Sequence, residues 1–360
     1  MRIAGIEHGA VEVAVFAVGW ALGWLLLWSP RQLPSSHVAE RATVAVVIPA
    51  RDEEASIAQL VRPLVDQRRP GDRIVVVDDH STDATGRIAR ELGAEVLVPP
   101  ELPAGWAGKS HACWHGASAV EADVLVFVDA DVRPSPTLLD DLAAQVAAHP
   151  GAIVSVQPWH RMETASEQPS ALVNVVALMG CAAFGPWGHR PSTSAAFGPV
   201  VALDRSAYLR SGGHAAAEVR AAHVEDVALA RNVGRSMLHV GSPDSTTFRM
   251  YPRGVPQLVE GWTRSIAAGA SSTPWWVALA TVAWVASLAG GWIAAPLVYP
   301  VSAIQVWVLG RRAGSVRWWA AAAYPLLVAA LVVVVASSAV ALVLGRDVTW
   351  KGRRVGTRSR

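Results

Sequence analysis

Three kinds of hydrophobic patterning succeed one another along the chain. Val11 to Trp28 is apolar except for Glu12, a length close to what a bilayer crossing needs. Ser29 to Arg41 is polar, contains Pro30 and Pro34, and reads as a linker. From Ala42 to about Thr273 short apolar runs alternate with amphipathic ones. The stretches "TVAVVIPA", "DRIVVVDDHS", "AEVLVPP" and Val124 to Val128 are rich in β-branched residues and predict strands. Between them "EEASIAQLVRPLVDQ", "TDATGRIARELG" and "GKSHACWHGASAVE" carry helical spacing. Strands alternating with helices predict an α/β fold with a mostly parallel sheet covered on both faces. Beyond Ser272 the apolar runs Trp275 to Gly310 and Trp318 to Gly345 carry no charge, and only Pro325 interrupts the second. Their length predicts between about two and four membrane crossings.

This pattern predicts an N-terminal membrane anchor over 1–30, a catalytic α/β domain over 42–270, a transmembrane region over 274–345 and a basic tail over 346–360. The first apolar segment reads as a retained anchor rather than a signal peptide. Only Arg2 precedes it as a basic residue, and no small-x-small cleavage site is clear. Arg311, Arg312 and Arg317 mark one loop and the tail marks another, and both favour the cytoplasmic side. The expectation is a multi-pass protein of the cell membrane with a cytoplasmic catalytic domain.

Composition strengthens this picture. The 360 residues are 52% hydrophobic and 17% charged, away from the soluble average in both respects. Many of the 16 Trp residues lie in or beside the apolar segments, where indole favours the membrane–water boundary. A net charge of +2 makes no case for nucleic acid. Cys113 and Cys181 are the two cysteines and form no CxxC, so no disulfide framework is indicated.

Ligands of such sheets bind beyond the carboxyl ends of the strands. Acidic residues cluster there: Asp52 and Glu53, Asp78 and Asp79, Asp129 and Asp131. The Asp129-x-Asp131 pair at the end of a buried run is repulsive unless a cation joins it. Mg²⁺ or Mn²⁺ suits that role, because such ions take carboxylate and phosphate oxygens and let a bound diphosphate complete their shell. No GxGxxG follows the first strand and no GxxxxGK[ST] occurs, which argues against a dinucleotide enzyme and a P-loop NTPase. Each acidic motif also has a plain structural reading. "PARDEE" and "DDHSTDAT" suit helix starts, and Glu225 and Asp226 suit the first turn of a helix over "VEDVALARNVG". Asp226 equally suits a general base. His214 after two glycines faces either a ligand or solvent. His111 and His115 share a helix face but lack the glutamate and third ligand of a zinc site.

In order, "VVIPARDEE", "IVVVDDHSTDAT", "GWAGKSHAC", "VLVFVDADVRP", "GGH", "VEDVALAR", "FRMYPRG", "EGWTRSIAAGA" and "VTWKGRR" resemble the membrane-anchored family 2 glycosyltransferases. Carotenoid (4,4′-diaponeurosporenoate) and hopene-associated glycosyltransferases are nearest, with ceramide glucosyltransferases as cousins. The resemblance implies a GT-A, Rossmann-like fold, a nucleotide-sugar donor such as a UDP-hexose, Mg²⁺ or Mn²⁺, inversion at the anomeric carbon, and a lipid acceptor met at the bilayer. It implies that Pro49, Ala50, Arg51 and Glu53 line the nucleoside pocket and that Asp79 meets the base or ribose. Lys109 would approach the ribose or diphosphate, and Asp129 the ribose and sugar. Asp131 would ligate the metal, and His214 would face the donor. Asp226 would be the catalytic base, Arg264 would meet the pyrophosphate and Trp262 would lie near the acceptor. The chain departs from the family at Asp52, where Asn is usual, at Pro199, where Gln is common, and at Arg264, where close relatives have Lys and no Trp follows here. Two other readings stand beside this one: a nucleotidyltransferase on a similar sheet, and a non-catalytic membrane protein.

Overall fold

The computed structural model describes residues 3–36, 39–186, 191–192, 195–222, 224–270, 272–294, 296–344, 348–350 and 353–355. Side chains at 3–11, 264, 267–268, 270, 292–294 and from 341 onward lie outside that description. In chain order the elements begin with α1 (Ile3–Leu26), β1 (Val44–Ala50), α2 (Ile57–Asp66), β2 (Arg73–Asp78), α3 (Thr85–Glu91) and β3 (Glu95–Leu97). Next come α4 (Gly108–Ser118), β4 (Val124–Val128), β5 (Val132–Arg133), α5 (Leu138–Ala148), β6 (Ile153–Gln157), β7 (Trp159–His160) and α6 (Ser170–Gly180). Then follow β8 (Val200–Asp204), α7 (Arg205–Arg210), α8 (Ala217–Arg220), α9 (Glu225–Val233), β9 (Ser236–Val240), β10 (Thr247–Phe248) and α10 (Val255–Ala270). The chain ends through α11 (Trp275–Ala294), α12 (Val298–Ala313), α13 (Trp318–Ala322), α14 (Tyr324–Leu344) and the short strands β11 (Val348–Trp350) and β12 (Arg353–Val355). These elements fall into two compact units, one of residues 31–159, 191–249 and 345–360, the other of 1–30, 160–190 and 250–344.

The first unit is α/β. Its seven-stranded sheet has the order β3-β2-β1-β4-β8-β6-β9. The four strands predicted from the sequence are adjacent and parallel, with Pro49 opposite Val77 and Ala50 opposite Asp78 at the carboxyl ends. Strand β8 runs antiparallel to both β4 and β6, so the sheet is mostly rather than wholly parallel. Helix α2 buries Ile57, Leu60, Val61 and Leu64, the i, i+3, i+4, i+7 stripe of a surface helix. Helix α4 approaches β1 and β2 through Gly116. A Cβ there would lie 2.5 Å from Val47 Cγ1 and 2.8 Å from Val77 Cγ2, so a side chain would hold the helix away. That close approach fixes Lys109, in the first turn of α4, relative to the strand ends. At the opposite end of the sheet Asp72 takes two hydrogen bonds from Arg41, at 2.9 and 2.6 Å, and one each from the backbone N–H of Val44 and Arg69.

The second unit is helical, built of α1, α6 and α10 to α14. Its interior is not purely apolar. Gln305, wholly buried, accepts from Trp284 Nε1 at 2.9 Å and donates to the Trp20 carbonyl at 2.7 Å. Arg312 donates to the carbonyls of Leu27 and Trp28, closing α12 onto the end of α1.

Residues 160–190 and 250–270 cluster with the helical unit. One expectation changes here. The N- and C-terminal transmembrane helices are not supported: among the described residues no helix is long and apolar enough to cross a membrane. Both C-terminal runs are divided. The run from Trp275 breaks after α11, and α12 is 16 residues carrying the buried Gln305 and ending in Arg311 and Arg312. The run from Trp318 breaks at Ala323 into α13 and α14. Much of the basic tail lies outside the described residues.

Candidate active site

The strand ends of the α/β unit converge on a cleft lined by Pro49, Lys109, Cys113, Phe127, Val128, Asp129, Gly198, Val201, His214, Glu225, Asp226 and Leu229. The loops after β1 and β2 form its border and lock each other. Asp52, left-handed at φ 52°, accepts from the backbone N–H of Thr82 at 2.7 Å, and its own N–H donates to Ser81 Oγ at 3.1 Å. The N–H of Glu53 donates to Thr85 Oγ1 at 2.8 Å, and its carboxylate accepts from Ser56 Oγ at 2.8 Å. Asp78 accepts from the N–H of Ser81 at 2.9 Å and shapes the turn. Asp79 beside it is 4% exposed. Its N–H donates to the Ala50 carbonyl at 2.8 Å. Arg51 Nη1 donates to the Asp79 carbonyl at 2.8 Å and stands 3.7 Å from its carboxylate.

At the centre Lys109 Nζ bridges Asp129 Oδ1 at 2.7 Å and Glu225 Oε1 at 2.8 Å. Burial opposes the lysine charge, but Asp129 and Glu225 outweigh it and hold the ammonium well above the usual lysine range. Burial likewise opposes ionisation of Glu225, and Lys109 overcomes it, leaving this carboxylate below its usual value. Among the described residues the neighbouring Asp226 has no salt-bridge partner. Burial, then the charge of Glu225, pushes it up to about 7. Gly198 leaves the room Asp226 occupies, since a Cβ there would lie 3.2 Å from its carboxyl carbon. One lysine thus holds both Asp129, whose carboxyl burial still keeps above its usual value, and Glu225, and leaves Asp226 near neutrality, which suits a general base.

Asp131 follows β4 and is held by the antiparallel pairing of β5 with β10, which starts one residue later. Burial, with Asp129 and Glu53 close by, pushes Asp131 up to about 7. Among the described residues no cationic side chain pairs with it, and no set of three His, Cys, Asp or Glu forms a metal cage. Excess negative charge beside one available carboxylate fits a Mg²⁺ or Mn²⁺ ion that takes its remaining oxygens from a diphosphate and water. His214 lies in the cleft wall, 3% exposed, its ring edge-on to Phe127 at 4.7 Å; burial lowers it to about 4 and keeps it neutral.

Of the residues predicted from the sequence, Pro49, Lys109, Asp129, His214 and Asp226 share the cleft. Glu53 and Asp131 join it through charge, and Ala50, Arg51 and Asp79 stand at the adjoining strand ends. Trp262 and Arg264 belong to α10 of the helical unit. Trp262 is buried there, donates from Nε1 to Ser170 Oγ at 3.0 Å and packs edge-on to Tyr251. The Arg264 side chain lies outside the described residues. Sequence reasoning missed Glu225 as the second anchor of Lys109, although "VED" offered two adjacent acids. It also missed Gly198 and Tyr208, which no local pattern marks.

Residues 45–186 match the model of the family described as glycosyl transferase family 2. Over 251 residues, 68% of this chain, the sequence is 34% identical to a 4,4′-diaponeurosporenoate glycosyltransferase of Staphylococcus haemolyticus (strain JCSC1435). Over 252 residues, 67% of the chain, it is 34% identical to the protein of the same name from Staphylococcus aureus (strain USA300). The chain spans 66% and 65% of those relatives' lengths, just under two thirds. Its fold is similar to that of the mannosyltransferase PcManGT from Pyrobaculum calidifontis, solved in complex with GDP-Man and Mn²⁺. That likeness has a TM-score of 0.58 at 18% identity and covers 92% of this chain and 98% of the other.

Proposed function

This chain belongs to glycosyl transferase family 2, and from that premise we propose that it moves a hexose from a nucleotide-sugar donor, a UDP-hexose first among them, to a membrane lipid. The lipid is a carotenoid or related acceptor presenting a hydroxyl or carboxylate, and the transfer inverts the anomeric carbon. The observation that carries the reading is the asymmetry around Lys109. Two carboxylates share one ammonium, and a third, Asp226, remains next to them with its pKa near 7.

For a hydroxyl acceptor the reaction is a single displacement. Asp226 takes the acceptor's proton while the acceptor oxygen forms its bond to the anomeric carbon from the face opposite the diphosphate. The bond from that carbon to the diphosphate oxygen breaks, and the nucleoside diphosphate carries away the electron pair. Proton removal by a positioned base accounts for about 10²- to 10⁴-fold in rate. Arg51, Asp79 and the β1 and β2 loop backbones form the border that receives the nucleoside. Lys109 keeps Asp129 fixed beside the sugar. Asp131 would hold the Mg²⁺ or Mn²⁺ ion, which when bound offsets the charge that builds on the departing diphosphate.

Membrane contact belongs to the helical unit in this reading. Trp275, Leu297, Trp318 and Leu326 are 78%, 86%, 73% and 71% exposed, a set of large apolar side chains that favours the lipid interface over water. That supports action on an acceptor dissolved in the cytoplasmic leaflet of the cell membrane. The test is to incubate the full chain with Mn²⁺, a panel of sugar nucleotides and extracted bacterial lipids, then weigh the lipids by mass spectrometry. The expected product is a lipid heavier by one hexose, formed only with a sugar nucleotide. Sugar nucleotide consumed with no glycosylated lipid, or none consumed at all, would overturn the reading.

A further inference from the structure

Tyr208 has no part in the reaction above, yet it packs directly behind two residues of the cleft wall, Phe127 and His214. It lies in α7, is 1% exposed, and packs against Phe127 at 5.4 Å between ring centroids. The turn carrying His214 sits directly on it. Gly212 and Gly213 are both left-handed, at φ 78° and 53°, and a Cβ on Gly213 would fall 2.4 Å from Tyr208 Cζ. Only a glycine turn lets the chain lie that close, and the result is a double contact at one phenol oxygen. The His214 backbone nitrogen is 3.2 Å from Tyr208 Oη, and His214 Nδ1 is 3.0 Å from it.

A tyrosine hydroxyl has one proton to give and lone pairs to accept. The backbone N–H of His214 can only donate, so Oη accepts it. Its own proton then has one acceptor within reach among the described residues, Nδ1 of the imidazole. The opposite arrangement, Nδ1–H donating to Oη, would strand the buried phenol proton without an acceptor, a costly state. Burial keeps both groups uncharged, lowering the imidazole to about 4 and raising the phenol. The imidazole proton therefore sits on Nε2. Among the described residues Nε2 has no partner, and His214 lines the cleft beside Asp129 and Asp226.

We propose that Tyr208 is a positioning residue that locks His214 in its Nε2–H tautomer, so that a neutral imidazole presents one hydrogen-bond donor to a hydroxyl of the sugar being transferred. The identity of that ligand rests on the glycosyl-transfer reading; the tautomer does not. A neutral donor suits a neutral hydroxyl, whereas the diphosphate calls for the cationic groups elsewhere in the cleft.

The experiment uses the full chain with ¹⁵N-labelled histidine. In the ligand-free wild type the His214 Nε2 resonance is expected to be pyrrole-like and Nδ1 pyridine-like. Tyr208→Phe keeps the ring under Gly213, removes the hydroxyl, and is expected to mix the two tautomers. Binding is then measured, with Mn²⁺ present, for UDP-glucose and GDP-mannose against UDP and GDP. His214→Asn should weaken the sugar nucleotides by about tenfold, the size of one lost hydrogen bond, and the bare diphosphates by less than about twofold; Tyr208→Phe should weaken the sugar nucleotides by a smaller factor, set by the fraction of the Nε2–H tautomer it keeps. His214→Gln places an amide N–H where Nε2 stood and should recover most of the loss. A pyridine-like Nε2 in the wild type overturns the proposal. So does equal weakening of sugar nucleotides and diphosphates, or His214→Gln binding no better than His214→Asn. If Tyr208→Phe does not fold, the two His214 variants still decide. If the wild type binds no sugar nucleotide, the glycosyl-transfer reading falls, and the resonance alone decides the role of Tyr208.

Discussion

At the scale of single residues the cleft is a problem in charge placement. Asp129, Glu225, Asp226 and Asp131 are gathered around one lysine, which satisfies two of them. The others stay near pKa 7, and this has a consequence for stability with a definite sign. A carboxyl whose pKa is raised on folding binds its proton more tightly in the folded state than in the unfolded one. Folding stability then falls as pH rises from the unfolded value, 3.8, through about 7, and stays lost above that. Asp131→Asn should therefore stabilise the fold at about pH 8, by on the order of 1 kcal/mol after allowing for the solvent that reaches the site, and raise the unfolding temperature. It should also abolish any added stability from Mn²⁺ with a nucleoside diphosphate. Thermal melts across pH check both, and an Asn variant no more stable than wild type at pH 8 would count against the charge excess. The candidate carboxylates were legible because acids recur at the ends of three of the four apolar runs. Their division of labour was not, since it depends on Lys109 reaching across from another helix.

Among elements, the one that matters most to the cleft is α4, which carries Lys109 in its first turn and rests on β1 and β2 through Gly116. The added methyl of Gly116→Ala would meet Val47 and Val77 inside ordinary contact distance, and both belong to the buried core of the sheet. The variant should lose about 1–3 kcal/mol of stability, read from urea unfolding, and should bind sugar nucleotide more weakly because the helix start shifts. An unchanged urea midpoint would show that α4 has room to spare. Strands β1, β2 and β4 were readable because each carries an unbroken apolar stretch rich in β-branched residues. Strands β6, β8 and β9 escaped because "IVSVQ", "VVALD" and "SMLHV" mix in polar positions, and Ser155 and His239 are buried by hydrogen bonds that only the assembled sheet supplies. The loop pairings Asp52–Thr82 and Glu53–Thr85 are equally invisible locally, since each joins residues about thirty apart.

For the molecule as a whole, hydropathy predicted membrane spans, whereas among the described residues no helix is long and apolar enough to cross a membrane. The two C-terminal runs break around Pro296 and at Ala323, and Gln305 and Arg312 give α12 polar contacts within the helical unit. What survives of the hydropathy signal is exposed indole and leucine on that unit, the basis for placing the acceptor in lipid. The central claim is that this chain transfers sugar with Asp226 as the base. It is tested most directly by the rate of nucleoside diphosphate release from a UDP-hexose in the presence of lipid acceptor and Mn²⁺, for the wild type and Asp226→Asn, across pH. The wild-type rate should fall on the acid side of about pH 7 as Asp226 takes up its proton. The Asn variant should lose about 10²-fold or more with donor affinity kept. An Asp226→Asn enzyme that turns over at the wild-type rate, with the same acid limb, would contradict the account.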